Sequence, residues 1–528
     1  MTFGAGGYYF KKKRLNQEGK IMNYERLRDN LLELIRRTSA YLPPDVENVI
    51  TLSRSLEQEG TMAEMALEMI KKNVGLAKKK SLPICQDTGT VTFYVKMPVN
   101  EDQLLFKKAA EEAVVLATEK GYLRKNSVDT LSGKNTGNNL GKGSPVFYFE
   151  QWYEDEIDVR LVLKGGGSEN MSSQYSLPTV INGKRADRNL EGVKTVILDA
   201  IVKAQGKGCA PGFLGVCIGG DRASGLSHAK KQLLRELDDV NPYPELAELE
   251  ETILQEANEL EIGPMGFGGK FTIGGVKIDY LNRLPASYFV SISYMCWAYR
   301  RRGVKLDREG DVIRWLYHAP GEFEVDYESL PEPEIEAKSA KVLQLPLSEE
   351  DVRQLKVGDV VLLNGDLFTG RDAVHKYLFD GGELDVLRGA VIYHCGPVVV
   401  QRDGEYEVVA AGPTTSIREE PYQAEIIKRF NIRAIIGKGG MGEKTLKACQ
   451  ENGCVYLHAI GGAAQIYAKT VKKVKGVYLE EFGSPEAVWH LEVQNFPAVV
   501  TMDSHGQSLH TLVEKKSKEK LQQLLTTS

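Results

Sequence analysis

The stretch Ala434-Ile435-Ile436-Gly437-Lys438-Gly439-Gly440, followed by Gly442-Glu443-Lys444-Thr445, reads as a strand, a glycine loop and a helix start. A short apolar run bounded by glycines suits a strand covered on both faces. An acidic residue at the start of a helix suits its positive end. The loop resembles a phosphate loop, because backbone N–H groups at a helix N-terminus favour any anion. No Ser or Thr follows Lys438 at the Walker spacing, so a carboxylate is the simpler ligand. The same rhythm continues on either side. Residues 360–363, 390–393, 455–459 and 477–479 read as strands, and 422–429, 443–451 and 463–471 as helices alternating with some of them. Such alternation predicts an α/β domain, here over residues 345–528.

Upstream of this domain the pattern breaks. Acidic residues with Pro331, Pro333 and Pro346 replace hydrophobic periodicity, which predicts a linker over 321–344. Residues 24–320 then form an N-terminal α+β domain, and the chain as a whole is mixed α/β with two domains. That first domain opens on amphipathic helices, with Leu27, Leu31, Leu32 and Ile35 at helical spacing and a second apolar series over 62–74. The run Asp158-Val159-Arg160-Leu161-Val162-Leu163 reads as a strand that leads into Gly165-Gly166-Gly167. Three glycines after a strand mark a place where backbone approaches something closely. Residues 1–23, Gly- and Lys-rich without periodicity, read as a disordered tail.

Composition narrows the function. At 528 residues the chain exceeds one ordinary core, and 42% hydrophobic with 26% charged residues describes a soluble globular protein. No apolar run nears the ~18 residues that would span a bilayer, and the N-terminus lacks the apolar core of a secretory signal. A net charge of −5 argues against a nucleic-acid partner. Seven cysteines without a secretory signal read as free thiols or ligands in a reducing compartment, the cytoplasm.

Three of those cysteines lie in unusual company. Cys85 sits in Pro83-Ile84-Cys85-Gln86-Asp87-Thr88-Gly89-Thr90, Cys209 in Lys207-Gly208-Cys209-Ala210-Pro211-Gly212, and Cys296 between an apolar run and Trp297. No C-x-x-C pair is present, which excludes a zinc ribbon or a thioredoxin-like motif. Spacing alone leaves two readings open, free buried thiols or one shared three-cysteine site. Cys217, Cys395, Cys449 and Cys454 lie in or beside apolar stretches and read as buried thiols. Three ligands rather than four would leave one iron of a cluster open to substrate, which suits a Lewis acid and not an electron carrier.

Around these cysteines stand Asn135-Thr136-Gly137-Asn138-Asn139, Lys164-Gly165-Gly166-Gly167-Ser168-Glu169-Asn170 and Gly266-Phe267-Gly268-Gly269-Lys270. The second half adds Gly370-Arg371-Asp372-Ala373-Val374-His375, Gly412-Pro413-Thr414-Thr415 and Gly461-Gly462-Ala463-Ala464. In this order the motifs resemble the class I, iron–sulfur-dependent fumarate hydratases and their relatives the L-tartrate dehydratases, from about residue 24 to 510. The two halves are similar to α and β subunits that some organisms make separately. The resemblance implies a cluster-binding first domain, a swivelling-type second domain and a homodimer. It also implies reversible hydration of fumarate to L-malate on a [4Fe–4S] cluster held by Cys85, Cys209 and Cys296. Gln86, Asp87, Arg124 and Gly167 match substrate-site positions of the first domain, and Arg371, Thr414, Arg418 and Lys438 those of the second. Thr414 is implicated in proton transfer, with Asp87 as proton donor or electrostatic partner. Where better-studied members place a histidine that reaches across the dimer, this chain has Leu284, with Arg283 beside it.

The same residues make physical sense together. A dicarboxylate needs several fixed cations, and arginine binds a carboxylate bidentately. Arg124, Arg371, Arg418 and Lys438 supply four from four segments. Removing a proton beside a carboxylate builds charge there, which clustered cations stabilise. Arg371 and His375, four apart, would share a helix face, with Asp372 placed to fix either. A hydro-lyase for L-tartrate or a methylated fumarate would use the same fold and clamp. An iron–sulfur sensor that contacts RNA would need the basic groove or stacking platform that this acidic chain lacks.

Overall fold

A computed structural model describes residues 22–332 and 340–527. Of the expected tail only Met22 and Asn23 are described; Asn23 caps the helix Tyr24–Ala40, its side chain accepting from the Arg26 N–H. Leu27, Leu31 and Ile35 of that helix are buried, as its periodicity predicts, and Leu34 joins them while Leu32 is only partly buried. They pack, with the helix Gln103–Glu119, on one face of a five-stranded sheet. Its order is Val312–Leu316, Arg300–Leu306, Ile157–Lys164, Thr90–Pro98, Val146–Trp152. In Thr90–Pro98 every second residue, Val91, Phe93, Val95 and Met97, faces those helices.

A four-stranded sheet follows, ordered Ser173–Ser176, Phe289–Met295, Gly212–Gly219, Ile273–Leu281. The helices Leu190–Ala204 and Pro244–Glu259 cover it. The second half is built on a seven-stranded sheet. Lys341–Gln344, Val360–Thr369, Val391–Tyr393, Ala434–Gly437 and Val455–His458 run parallel in that order. The long strand Val488–Met502 then pairs antiparallel with Val455–His458, with Val471–Tyr478 and again with Val360–Thr369, which closes the sheet on itself. Lys341–Gln344 and Val471–Tyr478 remain outside the closed ring, each paired on one side only. The class is mixed α/β, as the sequence predicts.

Three details differ from the sequence reading. Residues 341–344, within the stretch expected as a linker, form an edge strand of the second half's sheet. One hydrophobic cluster runs through both halves, joining Cys85, Cys209, Cys296 and Trp297 to Tyr393, Ile436, Leu457 and Ile460. The last helix, Leu509–Thr527, crosses back to the first half. Leu521 and Leu525 enter the core of the four-stranded sheet. Lys184 Nζ donates to the Leu525 carbonyl at 2.6 Å, and Gln205 Nε2 to Ser517 Oγ at 2.8 Å. Leu521 is fully buried, so Leu521→Ala is expected to remove ~2–5 kcal/mol of stability. Urea unfolding followed by circular dichroism checks this; an unchanged midpoint would show the helix to be an ornament.

Candidate active site between the two halves

Each of the three cysteines is placed by its own local device. Cys85 follows the turn after the helix Met62–Lys80. Cys209 adopts φ 55°, ending the 3-10 turn Gln205–Gly208. Cys296 follows the strand Phe289–Met295, its N–H donating to Ser168 Oγ at 3.2 Å. All three are buried. Burial raises the Cys85 thiol, with Arg300 and Lys438 pulling the other way. Burial likewise pushes Cys209 up to about 12, although Lys438 Nζ donates to its Sγ at 2.8 Å. Cys85 and Cys296 are both near enough to act electrostatically on Cys209. Gly461 borders it, and a Cβ there would overlap Cys209 Sγ.

Among the described residues no three His, Cys, Asp or Glu side chains come close enough to hold one metal ion. Three buried thiols offer soft sulfur donors, which suit an iron–sulfur cluster with one sulfur per iron. A buried thiol that resists ionisation is also one that gains most from a metal that takes its proton's place.

Beside the thiols lies a cavity of about 930 Å³. Gln86, Asp87, Arg124 and Gly167 line it from the first half, and Arg371, Thr414, Arg418 and Lys438 from the second. The glycines after the strand Ile157–Lys164 have the close approach expected of them: a Cβ at Gly165 would stand 2.9 Å from Asp87 Oδ2. Burial works to raise Asp87, but Arg124, Arg300, Lys438 and Arg371 override it and hold the carboxyl at about 2. Asp87 is therefore an anion set among cations, which suits an electrostatic partner better than a proton donor. Arg124 approaches it at 3.4 Å and donates to the Gly396 carbonyl at 2.7 Å, a first-half side chain anchored on second-half backbone.

Arg371 is the N-cap residue of the helix Asp372–Phe379. Its guanidinium pairs with Glu486 at 3.1 Å, and its Nε has no partner among the described residues. Arg418 pairs with Asp372 at 3.2 Å, so Asp372 braces the arginines and not the imidazole. His375 points inward instead, donating from Nδ1 to the Arg371 carbonyl at 2.9 Å, with Gln423 on its other nitrogen. Thr414 Oγ1 donates to the His394 carbonyl at 3.2 Å. Lys438 is bridged to the neighbouring Thr415, its N–H donating to the Thr414 carbonyl at 3.3 Å.

The glycine loop around Lys438 corrects one expectation. The N-terminus of the helix Glu443–Asn452 is already taken: Glu420 accepts from the Gly442, Lys444 and Thr445 N–H groups at 2.7, 3.1 and 3.3 Å. The anion held there is the protein's own carboxylate, and Lys438 lines the cavity apart from that helix end. Arg283, the cation beside Leu284, is also engaged, donating to the Leu284, Pro285 and Ser287 carbonyls of its own loop.

Sequence reasoning passed over Arg300. It is buried beneath Asp87, donates to the Asp87 carbonyl at 2.7 Å and helps keep that residue ionised. The signal was available, since three arginines at 300–302 in an otherwise apolar stretch need buried partners. Arg301 pairs with Asp45, and Arg302 with Glu322 at 2.8 Å.

Comparison with known proteins joins the two halves of this site. Residues 28–305 match the family model described as fumarate hydratase (Fumerase), and residues 310–513 match the one described as fumarase C-terminus. A Geobacillus stearothermophilus protein named "Putative fumarate hydratase class I" is 53% identical over 506 residues, 94% of this chain and 98% of that protein. Two Methanocaldococcus jannaschii chains, named with the same qualifier as L(+)-tartrate dehydratase subunits, divide the sequence between them. The beta subunit is 47% identical over 34% of this chain and 95% of its own length. The alpha subunit is 36% identical over 53% of this chain and 99% of its own.

Proposed function

Since the chain belongs to the class I fumarate hydratase family, we propose that it interconverts fumarate and L-malate, using a [4Fe–4S] cluster held by Cys85, Cys209 and Cys296. The observation that carries this reading is the single cavity beside three buried thiols, lined by Arg371, Arg418 and Lys438 from one half and Asp87 from the other. When bound, the cluster supplies a Lewis-acidic iron that weakens the C–O bond of the departing hydroxyl.

The chain's own residues do the rest. Arg371, Arg418 and Lys438 bind the carboxylates, and they stabilise the charge that develops when the neighbouring carbon loses its proton. Thr414 relays that proton, with the Asp87 carboxylate as its electrostatic partner. Gln86 and Gly167 shape the wall, and Arg124 holds Asp87 in place. Residues 24–320 and 345–528 act as the two functional units, the second extended by the edge strand Lys341–Gln344. A homodimer follows from the family resemblance, and seven free thiols suit a reducing compartment such as the cytoplasm. Among the described residues no helix is long and apolar enough to cross a membrane.

Fumarate is favoured over L-tartrate by the match to a fused relative over nearly the whole length of both chains. The test is anaerobic, with the iron-loaded enzyme and fumarate, L-malate, L-tartrate and mesaconate as separate substrates. The expected result is a kcat/KM for fumarate at least about tenfold above the others, a gap of ~1.4 kcal/mol. Preference for L-tartrate moves the assignment to the sister activity, and turnover of none of the four overturns it.

A further inference from the structure

Behind Arg371 and Arg418 lies a carboxyl group that the reaction above does not use. Glu419 ends the 3-10 turn Ser416–Glu419 and is fully buried. Neither of its side-chain oxygens has a hydrogen-bond partner among the described residues. The arginines already have their counter-ions: Glu486 stands 3.1 Å from Arg371, and Asp372 stands 3.2 Å from Arg418 and 4.0 Å from Arg371. Burial pushes Glu419 up to about 8, helped by Asp372 and Glu486 and opposed by Arg418 and Arg371. The other ionisable groups on the elements packed against this turn are accounted for. Burial keeps His375 and His394 neutral by lowering both, and the Glu420 carboxylate is turned onto residues 442–445. A buried carboxyl without partners is far more stable neutral than ionised.

We propose that Glu419 is a positioning residue for the substrate clamp, acting as a neutral acid whose ionisation would close the clamp to dicarboxylates. While it is protonated, two arginine charges face two carboxylates, and Arg371 and Arg418 can turn toward a substrate. Once ionised, Glu419 is a third carboxylate against the same two cations. It draws the guanidiniums inward and gives the cluster a net negative charge that repels a dianion. This inference rests on the assignment of Arg371 and Arg418 as the clamp.

The experiment compares the native chain with Glu419→Gln, a neutral isostere, between pH 7 and 9. If only the protonated form binds, the competent fraction at pH 9 is about a tenth, so the native KM rises about tenfold. The rise is expected to vanish in Glu419→Gln, while a merely structural role would leave both profiles parallel. A second measurement needs no turnover. Calorimetry of succinate binding at pH 8.5, in buffers of different ionisation enthalpy, counts protons taken up. The native protein is expected to take up about three-quarters of a proton more than Glu419→Gln, the ionised share for a group titrating near 8. Should the variant not fold, proton uptake by the native protein alone decides, and a value of zero overturns the proposal. Equal uptake by the two proteins, or an unchanged alkaline rise in the variant, also overturns it. Failure of succinate to bind either protein at pH 7 would instead remove the clamp assignment beneath it.

Discussion

Serine at Cys85, Cys209 or Cys296 is expected to give a colourless, inactive protein, where the native chain purified without oxygen is expected to be brown and to carry about four irons. Three buried sulfurs from three separate segments act on one another electrostatically, and serine cannot replace a thiolate as a soft ligand. Cys217, Cys449 and Cys454 belong to other surroundings, and their serine variants are expected to keep iron and colour. Cys395 is the sharpest control. It is buried near the site, and its thiol, pushed up to about 12 by burial, is felt by Arg124, Arg371 and Cys85. If Cys395→Ser loses iron while Cys209→Ser keeps it, the ligand set is wrong. Admitting air to the native protein is expected to bleach it and end turnover, because an iron without a protein ligand is open to oxidants. A colourless, air-stable and fully active native enzyme would dismiss the cluster.

Leucine at Arg371 or Arg418 is expected to do the reverse, keeping iron and colour while turnover collapses. Among the described residues neither guanidinium is hydrogen-bonded to Cys85, Cys209 or Cys296; both line the cavity and are braced by acids. Removing one partner of a charge-assisted pair costs about 2–5 kcal/mol, which is roughly a 30- to 5,000-fold loss of rate. The larger loss is expected at Arg371, whose side chain is 12% exposed against 35% for Arg418, so its contacts are less screened by water. Lysine should rescue poorly, because an ammonium cannot reproduce a two-pronged contact. Kinetics in both directions separate the roles: a rise in KM with kcat intact means ground state and transition state are bound alike. Native-like rates in both leucine variants would place the substrate elsewhere.

Much of this arrangement is legible in the sequence because glycine punctuates it. The turn at 437–440 and the run at 165–167 mark where strands end and backbone crowds a functional group, and both border the cavity. The helices at 24–40 and 443–452 announce themselves by period and by their first residues. The strand at 488–502 escapes such reading because its two ends pair with different partners, so no single alternation describes it. Glu420 misleads for a related reason: nothing local says that its carboxylate reaches the start of the next helix. Arg300 and Glu419 belong to the same class, ionisable residues whose meaning depends on groups distant in sequence.

The helix Leu509–Thr527 also sets a timetable for biosynthesis. The bond from Lys184 to the Leu525 carbonyl spans 341 residues, so the ribosome finishes the first half long before its final helix emerges. At ~5–20 residues per second, the roughly 200 residues from the end of the first half to Leu525 take about 10–40 s. Throughout that interval, the groove destined for Leu521 and Leu525 stays open on the nascent chain, together with the surface that later meets the second half. Chaperones have that long to shield it, and the cysteine site cannot be sealed before translation ends. A gene split near residue 333 would turn the delay into a search between two polypeptides, each withholding a piece of the other's core.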